Sequence, residues 1–310
     1  MYTELKDPSL VTLAPRLPKS ERLKRIYVEI SNICNLKCSF CPEVERPAKE
    51  ISVESFQETI EKIKPHTEEV YLHLMGEPLG HSQFGSLLDV CEAKAVPVKI
   101  TTNGTLLNPT NMQLLLKPIV KQVNISLHSF PDNFPGRSVS GYMGKIFKFL
   151  DLVREQRPDL YINLRLWDLD QDQAGRPENE DLRLAIEKAF QVDLAEIKPD
   201  VRRRKGVVVS GRISVHFDSR FVWPALTEPI LAKKGRCQGL KSHVGIHADG
   251  TVVPCCLDKE AVLALGNIHQ QSLSEVLQSE RAVAMREGFA RGDLVEDLCR
   301  RCQFVERFRR

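Results

Sequence analysis

Cys34-Asn35-Leu36-Lys37-Cys38-Ser39-Phe40-Cys41 puts three thiols within eight residues, just after a short apolar run and just before Pro42. A C-x3-C-x2-C spacing does not sit on one helix face, and the proline argues against a helix, so the stretch reads as a loop. Thiolates are soft ligands suited to zinc or to iron–sulfur clusters. No His or Cys flanks the trio to complete a zinc site. Three thiols on a four-iron cluster leave one iron open. A second set, Cys237, Cys255, Cys299 and Cys302, supplies four thiols, enough to close either a cluster or a structural zinc site. Together the sets use seven of nine cysteines. Cys256 adjoins Cys255 and competes with it as a ligand, while Cys91 reads as a core residue of a helix.

Around the first set, residues 24–200 alternate short apolar strands with helical stretches, the pattern of parallel βαβ units in an α/β protein. Strands are predicted over Ile26–Ile30, Val70–Leu74, Val98–Thr102, Gln122–His128, Tyr161–Leu166 and Ala195–Pro199. Helices are predicted over Ser52–Lys64, Ser82–Lys94, Thr110–Leu116, Gly141–Glu155 and Glu178–Gln191. Strands covered on both faces read as unbroken apolar runs. These alternate instead. One face is Ile, Val and Leu; the other carries Tyr27, Glu29, Tyr71, His73, Lys99, Thr101, Asn124, Ser126, His128, Asn163, Arg165, Glu196 and Lys198. A greasy outside and a polar inside predict a partial (β/α)6 barrel with a ligand-holding lumen, its chemistry at the C-terminal strand ends. The alternative is that these charges pair only with one another.

The cysteine loop at the end of the first strand resembles the motif of the radical S-adenosylmethionine (SAM) superfamily, with aromatic Phe40 before the last cysteine. The second strand ends in Met75-Gly76-Glu77-Pro78, similar to that family's Gly-Gly-Glu motif but with Met in the first place. The third ends in Thr101-Thr102-Asn103-Gly104, and the fourth supplies Asn124 and Ser126. The resemblance implies a [4Fe–4S] cluster on Cys34, Cys38 and Cys41. It implies SAM contacts from Phe40, Gly76, Glu77, Thr102, Asn103 and Ser126, with Glu77 on the methionine ammonium. Inward-facing Arg165 is a further candidate, for a SAM or substrate carboxylate. The implied reaction is reductive cleavage of SAM to a 5′-deoxyadenosyl radical that abstracts a substrate hydrogen.

The second set has its own resemblance. The C-x12-G-x4-C arrangement of Cys237, Gly250 and Cys255 is similar to the start of the SPASM module, and Cys299-Arg300-Arg301-Cys302 completes four ligands. With no further cysteines, it resembles the shortened "twitch" form with one auxiliary [4Fe–4S] cluster. The implied protein is a partial (β/α)6 barrel with a small C-terminal iron–sulfur module and two [4Fe–4S] clusters. A closed auxiliary cluster suits electron transfer from a substrate radical, hence a net oxidation. The expected divisions are an extension (1–23), the barrel (24–200), a linker with irregular or hairpin structure (201–236) and the module (237–310). Val244–His247 and Thr251–Val253 should form a hairpin on an Asp249-Gly250 turn. A helix is expected over Ser272–Glu287.

Composition narrows the setting. A net charge of +3 gives no polyanion preference, so no nucleic acid is expected. No run approaches the roughly 20 apolar residues of a membrane span, and residues 1–20 show no apolar signal core. The expectation is cytoplasmic, where clustered cysteines argue for metal. Expected partners are an electron donor such as flavodoxin or ferredoxin and a small-molecule or peptide substrate. The basic run Arg202–Lys205 reads as a solvated face. Phe221 and Trp223 read as packing between barrel and module, with lining of the substrate entry as the alternative.

Overall fold

The two-faced strands are built into one ten-stranded sheet. The structure, a computed structural model, describes residues 22–167, 177–194 and 206–308. Its strands are β1 (Arg25–Val28), β2 (Val70–Tyr71), β3 (Val98–Thr102), β4 (Val120–Ser126), β5 (Tyr161–Trp167), β6 (Gly206–Ser210), β7 (Ile213–Asp218), β8 (His243–Ile246), β9 (Thr251–Val253) and β10 (Gly266–Asn267). Their order is β10-β9-β8-β1-β2-β3-β4-β5-β7-β6. From β8 through β1 to β5 and β7, each neighbour is parallel. β6, β9 and β10 are antiparallel flanks. Among the described residues the two edges do not pair, so the barrel is a partial one.

Helices α1 (Val53–Ile63), α2 (Phe84–Ala93), α3 (Pro109–Leu115), α4 (Ser129–Asn133), α5 (Ser140–Gln156) and α6 (Glu180–Phe190) fall between the parallel strands. The Ser52 side chain caps α1 by accepting from Ser55 N, and Pro109 opens α3 behind an Asn108 cap. The apolar face of the sheet packs on these helices. Ile26, Val28, Ile100, Val123, Ile125, Ile162 and Leu164 are fully buried against Phe56, Leu87, Ile146 and Phe149. Burial of each such side chain stabilises the fold by about 1.5–3 kcal/mol. Cys91 lies in this core. In the C-terminal part come α7 (Leu273–Leu277), α8 (Glu280–Arg291) and α9 (Asp297–Arg300).

The structure differs from expectation in two places, and one expectation falls outside it. The stretch expected as a sixth strand, 195–199, lies outside the described residues, as do Glu196, Lys198 and the basic run at 202–205. The parallel neighbour of β5 is β7, whose Ile213, Val215 and Phe217 are buried. It forms a hairpin with β6 through the Gly211-Arg212 turn, so the expected linker contributes to the sheet. The helix expected over Ser272–Glu287 breaks in two, because Ser279 caps a new helix by accepting from Ala282 N. The β8–β9 hairpin forms as expected, with Gly250 at φ +86°. β8 also pairs with β1 in register Tyr27 with Gly245, which fastens the cysteine-bearing C-terminal part to the strand that launches the first cysteine loop.

Candidate active site

The loop of Cys34, Cys38 and Cys41 follows β1 at its C-terminal end. Its conformation is fixed from outside. Asn133 Oδ1 accepts from Lys37 N (2.8 Å), and Asp132 accepts from Ser39 N (2.6 Å) and from the Ser39 hydroxyl. Both residues sit at the end of α4. Arg220 donates to Asp132 (3.1 Å) and lies over the Phe40 ring. Phe40 packs on His128 and Trp167, centroids 5.1 and 4.7 Å away. Two thiols receive amide hydrogen bonds, Cys38 from Asn133 Nδ2 (3.1 Å) and Cys34 from Asn103 Nδ2 (4.0 Å). The Cys41 thiol is pushed up to about 12, first by the protein crowding it and then by Cys38 and Cys34, although the residue still shows surface to solvent.

Gly76 and Glu77 brace this loop from the second strand's side. Gly76 has φ +74°, and a Cβ there would stand 2.3 Å from Ser31 O. Only glycine fits so close a backbone approach. Glu77 N donates to Ile33 O (2.9 Å), one residue before Cys34. The buried Glu77 carboxylate accepts from Thr102 Oγ1 (2.6 Å), Asn103 N (2.7 Å) and Leu79 N (3.1 Å). Burial raises its pKa to about 7, against the pull of those donors. Asn103 also donates to Asn35 Oδ1 (2.9 Å). Thus Gly76, Glu77, Thr102 and Asn103 form one network behind the cysteine loop. Glu77, expected on a ligand ammonium, already holds three protein donors.

Further inside, polar side chains of the concave face join in a ladder across strands. Asn124 accepts from Gln122 and Asn163 and donates to Thr101 Oγ1 and Ile100 O. Thr101 in turn meets His73 Nε2 at 3.2 Å. Ser126 lies beside Arg165 in the β4–β5 register, at the rim of this face. Among the described residues no side-chain hydrogen bond or ion pair holds Arg165; its electrostatic neighbours are Asp218, Tyr27, Arg307 and Cys256. Burial holds His73 and His128 down to about 3, with Arg165 adding to both. The charges do not pair only with one another: Glu29 takes both oxygens to Arg46 (3.0 and 2.8 Å), and Lys99 pairs with Glu69 (2.9 Å).

The second cysteine group also gathers. Gly239 N donates to Cys237 Sγ (3.3 Å), and a Cβ on Gly239 would touch both Cys237 Sγ and Cys255 Cβ. Burial holds the Cys255 thiol well above its ordinary value, and Cys256, Cys237 and Cys299 add to this. Cys299 is raised likewise, with Cys237 and Cys302 next to it. Cys256 points elsewhere, packing on Leu74, Met75 and Val253 and receiving a hydrogen bond from Tyr27. Among the described residues no three His, Cys, Asp or Glu close around a single ion. A four-iron cluster binds each thiolate to a different iron, so its ligands need not converge on one point. Both thiol sets fit such a group in donor type.

Beside the first group lies a cleft of about 480 Å³. Phe40, Cys41 and Pro42 line one side, and Phe221, Trp223 and Gln303 another. Phe221 packs on Trp167, Trp223 and Phe304. Phe221 and Trp223 therefore both pack and line the cleft. Asp132, Asn133 and Arg220 were not legible as site residues in the sequence. They hold the cysteine loop through contacts 88 to 96 residues apart in sequence, and no spacing signals that. No helix among the described residues is long and apolar enough to cross a membrane.

The model of the radical SAM superfamily matches residues 28–164, and that of the SPASM iron–sulfur cluster-binding domain matches residues 237–303. The chain belongs to the radical SAM superfamily and is an enzyme of that class with a C-terminal iron–sulfur domain. Such an enzyme uses a [4Fe–4S] cluster and SAM, and the C-terminal domain binds further iron–sulfur. A tungsten-containing aldehyde ferredoxin oxidoreductase cofactor-modifying protein of Pyrococcus furiosus is 22% identical over 293 residues, 84% of this chain and 82% of that protein. In fold, the chain is similar to BtrN in complex with AdoMet and 2-DOIA (TM-score 0.56, 16% identity, 91% of this chain and 93% of that one). It is also similar to Streptococcus suis SuiB bound to the precursor peptide SuiA (TM-score 0.51, 15% identity, 91% and 71%).

Proposed function

We propose that residues 24–200 bind a SAM-cleaving [4Fe–4S] cluster through Cys34, Cys38 and Cys41, and that residues 237–310 bind one auxiliary [4Fe–4S] cluster through Cys237, Cys255, Cys299 and Cys302. When bound, the first cluster and SAM supply a 5′-deoxyadenosyl radical, and the second accepts an electron from the substrate. The observation that carries this is the cleft, which runs from Cys41 to Gln303, the neighbour of Cys302. A substrate held there lies between the radical source and the oxidant. The net reaction is then a dehydrogenation or similar oxidation, with an electron carrier such as flavodoxin or ferredoxin as reductant.

In this reading the protein orients and excludes water. Phe40 packs beside the adenine. Gly76, Glu77, Thr102, Asn103 and Ser126 line the SAM pocket, with Glu77 acting chiefly by holding Thr102 and Asn103 in place. Arg165 offers a fork to a carboxylate. Cys255 rather than Cys256 is the ligand, because Cys237 and Cys299 lie next to its thiol while Cys256 packs on Leu74, Met75 and Val253. A second reading, a polypeptide substrate, is favoured by one feature. A further hollow of about 180 Å³ continues from Val222, Glu228 and Gln303 to Leu231, beside exposed Leu226 and Ile230. Relatives in fold and sequence include a peptide-bound and a cofactor-modifying protein, which makes both substrate classes reasonable. Electron paramagnetic resonance of the reduced protein tests the assignment. SAM should perturb the signal of one cluster and leave the other. An identical spectrum with and without SAM would sink the reading.

A further inference from the structure

Cys38 is set apart from its two partners by what surrounds its sulfur. Asn133 Nδ2 stands 3.1 Å from Cys38 Sγ. The amide orientation is not interchangeable. Asn133 Oδ1 accepts from Lys37 N at 2.8 Å, and a flipped amide would set two donors face to face. The second N–H of the same amide is used by Ser129 O at 2.9 Å. Asp132 holds the other flank of Cys38 by accepting from Ser39 N. Backbone N–H groups on both sides of Cys38 are thus fixed by two adjacent residues of α4, and a well-aimed donor is left on the sulfur. Cys34 has only the longer Asn103 contact and Leu36 N at 3.5 Å. Among the described residues no hydrogen bond to Cys41 Sγ is formed at comparable distance.

Resting on the ligand assignment above, we propose that Asn133 is a positioning residue that sets the reduction potential of the first cluster through Cys38. A hydrogen bond to a ligating sulfur withdraws electron density and favours the reduced, more negative cluster. The donor therefore raises the potential and eases the one-electron reduction that the chemistry needs. Asn133 touches no reacting atom in this account. Its effect is read in the potential.

The test is a potentiometric titration of cluster-loaded protein at pH 8, followed by electron paramagnetic resonance. Asn133→Asp keeps the acceptor for Lys37 N and replaces the donor by an anion. Asn133→Leu removes the donor. Both should shift the first cluster's midpoint negative, with the second cluster's midpoint unmoved. An unchanged first midpoint at full iron content overturns the proposal. Should Asn133→Leu lose iron, the isosteric Asn133→Asp decides alone. A negative shift there supports the proposal, and no shift overturns it. Cys38→Ala separates the two levels: if it keeps full iron and SAM cleavage, the ligand assignment itself has failed.

Discussion

Gly76 shows how much one residue can carry. Its positive φ and lack of a Cβ, which would stand 2.3 Å from Ser31 O, let the second strand's end close against the segment that launches the cysteine loop. The sequence offered Gly76-Glu77 only as a motif; the close approach is its physical cause. The histidines of the lumen make a measurable consequence at the same scale. Burial holds His73 and His128 near 3 and His243 near 4. Unfolded histidines protonate as pH falls through about 6.5. Between that pH and about 4 the unfolded chain therefore binds more protons than the folded one, and stability falls with pH. Well below 6.5 the loss is about 1.4 kcal/mol per pH unit for each histidine. The melting temperature of anaerobic, cluster-loaded protein should drop from pH 7.5 to 5.5. A His73→Gln/His243→Gln variant should drop less, and an equal drop would contradict the account.

At the level of elements, the link between β1, the cysteine loop and the β8–β9 hairpin stands out. Glu29, one residue beyond β1, is fully buried. It takes both carboxylate oxygens to Arg46, just past the cysteine loop, and accepts from Ala248 N in the hairpin turn. Arg46 also donates to Lys259 O (2.6 Å), and Glu260 accepts from Glu45 N (2.9 Å). Breaking such a buried pair from one side leaves an uncompensated charge. Arg46→Met should cost about 3–5 kcal/mol, and adding Glu29→Leu should recover most of it. Urea midpoints of the single and double variants check this; a single variant as stable as wild type would show that the pair carries no such weight. The sequence made these strands and helices legible because their apolar faces repeat with the right period. It hid β7, because the short alternation of Ile213, Val215 and Phe217 sat beside stronger breaks. It also hid the role of Arg46, whose partners are remote in sequence.

Across the whole molecule, the two cysteine groups were the most legible feature, and the resemblance they carried agrees with the family matches. What the sequence did not show is the cleft beside the first group. The cleft is made from the ends of the cysteine loop, residues 220–225 and Gln303, brought together only by folding. Its aromatic walls come from positions with no common motif. The substrate remains the least legible part for the same reason, since a cleft is read from shape and not from spacing.

The division of labour between the two groups is tested most directly by anaerobic release of 5′-deoxyadenosine from SAM with dithionite. The wild-type protein and a folded Cys299→Ala variant should both release it, and Cys34→Ala should release none. Undiminished release by Cys34→Ala, or its complete loss in folded Cys299→Ala, would contradict the account.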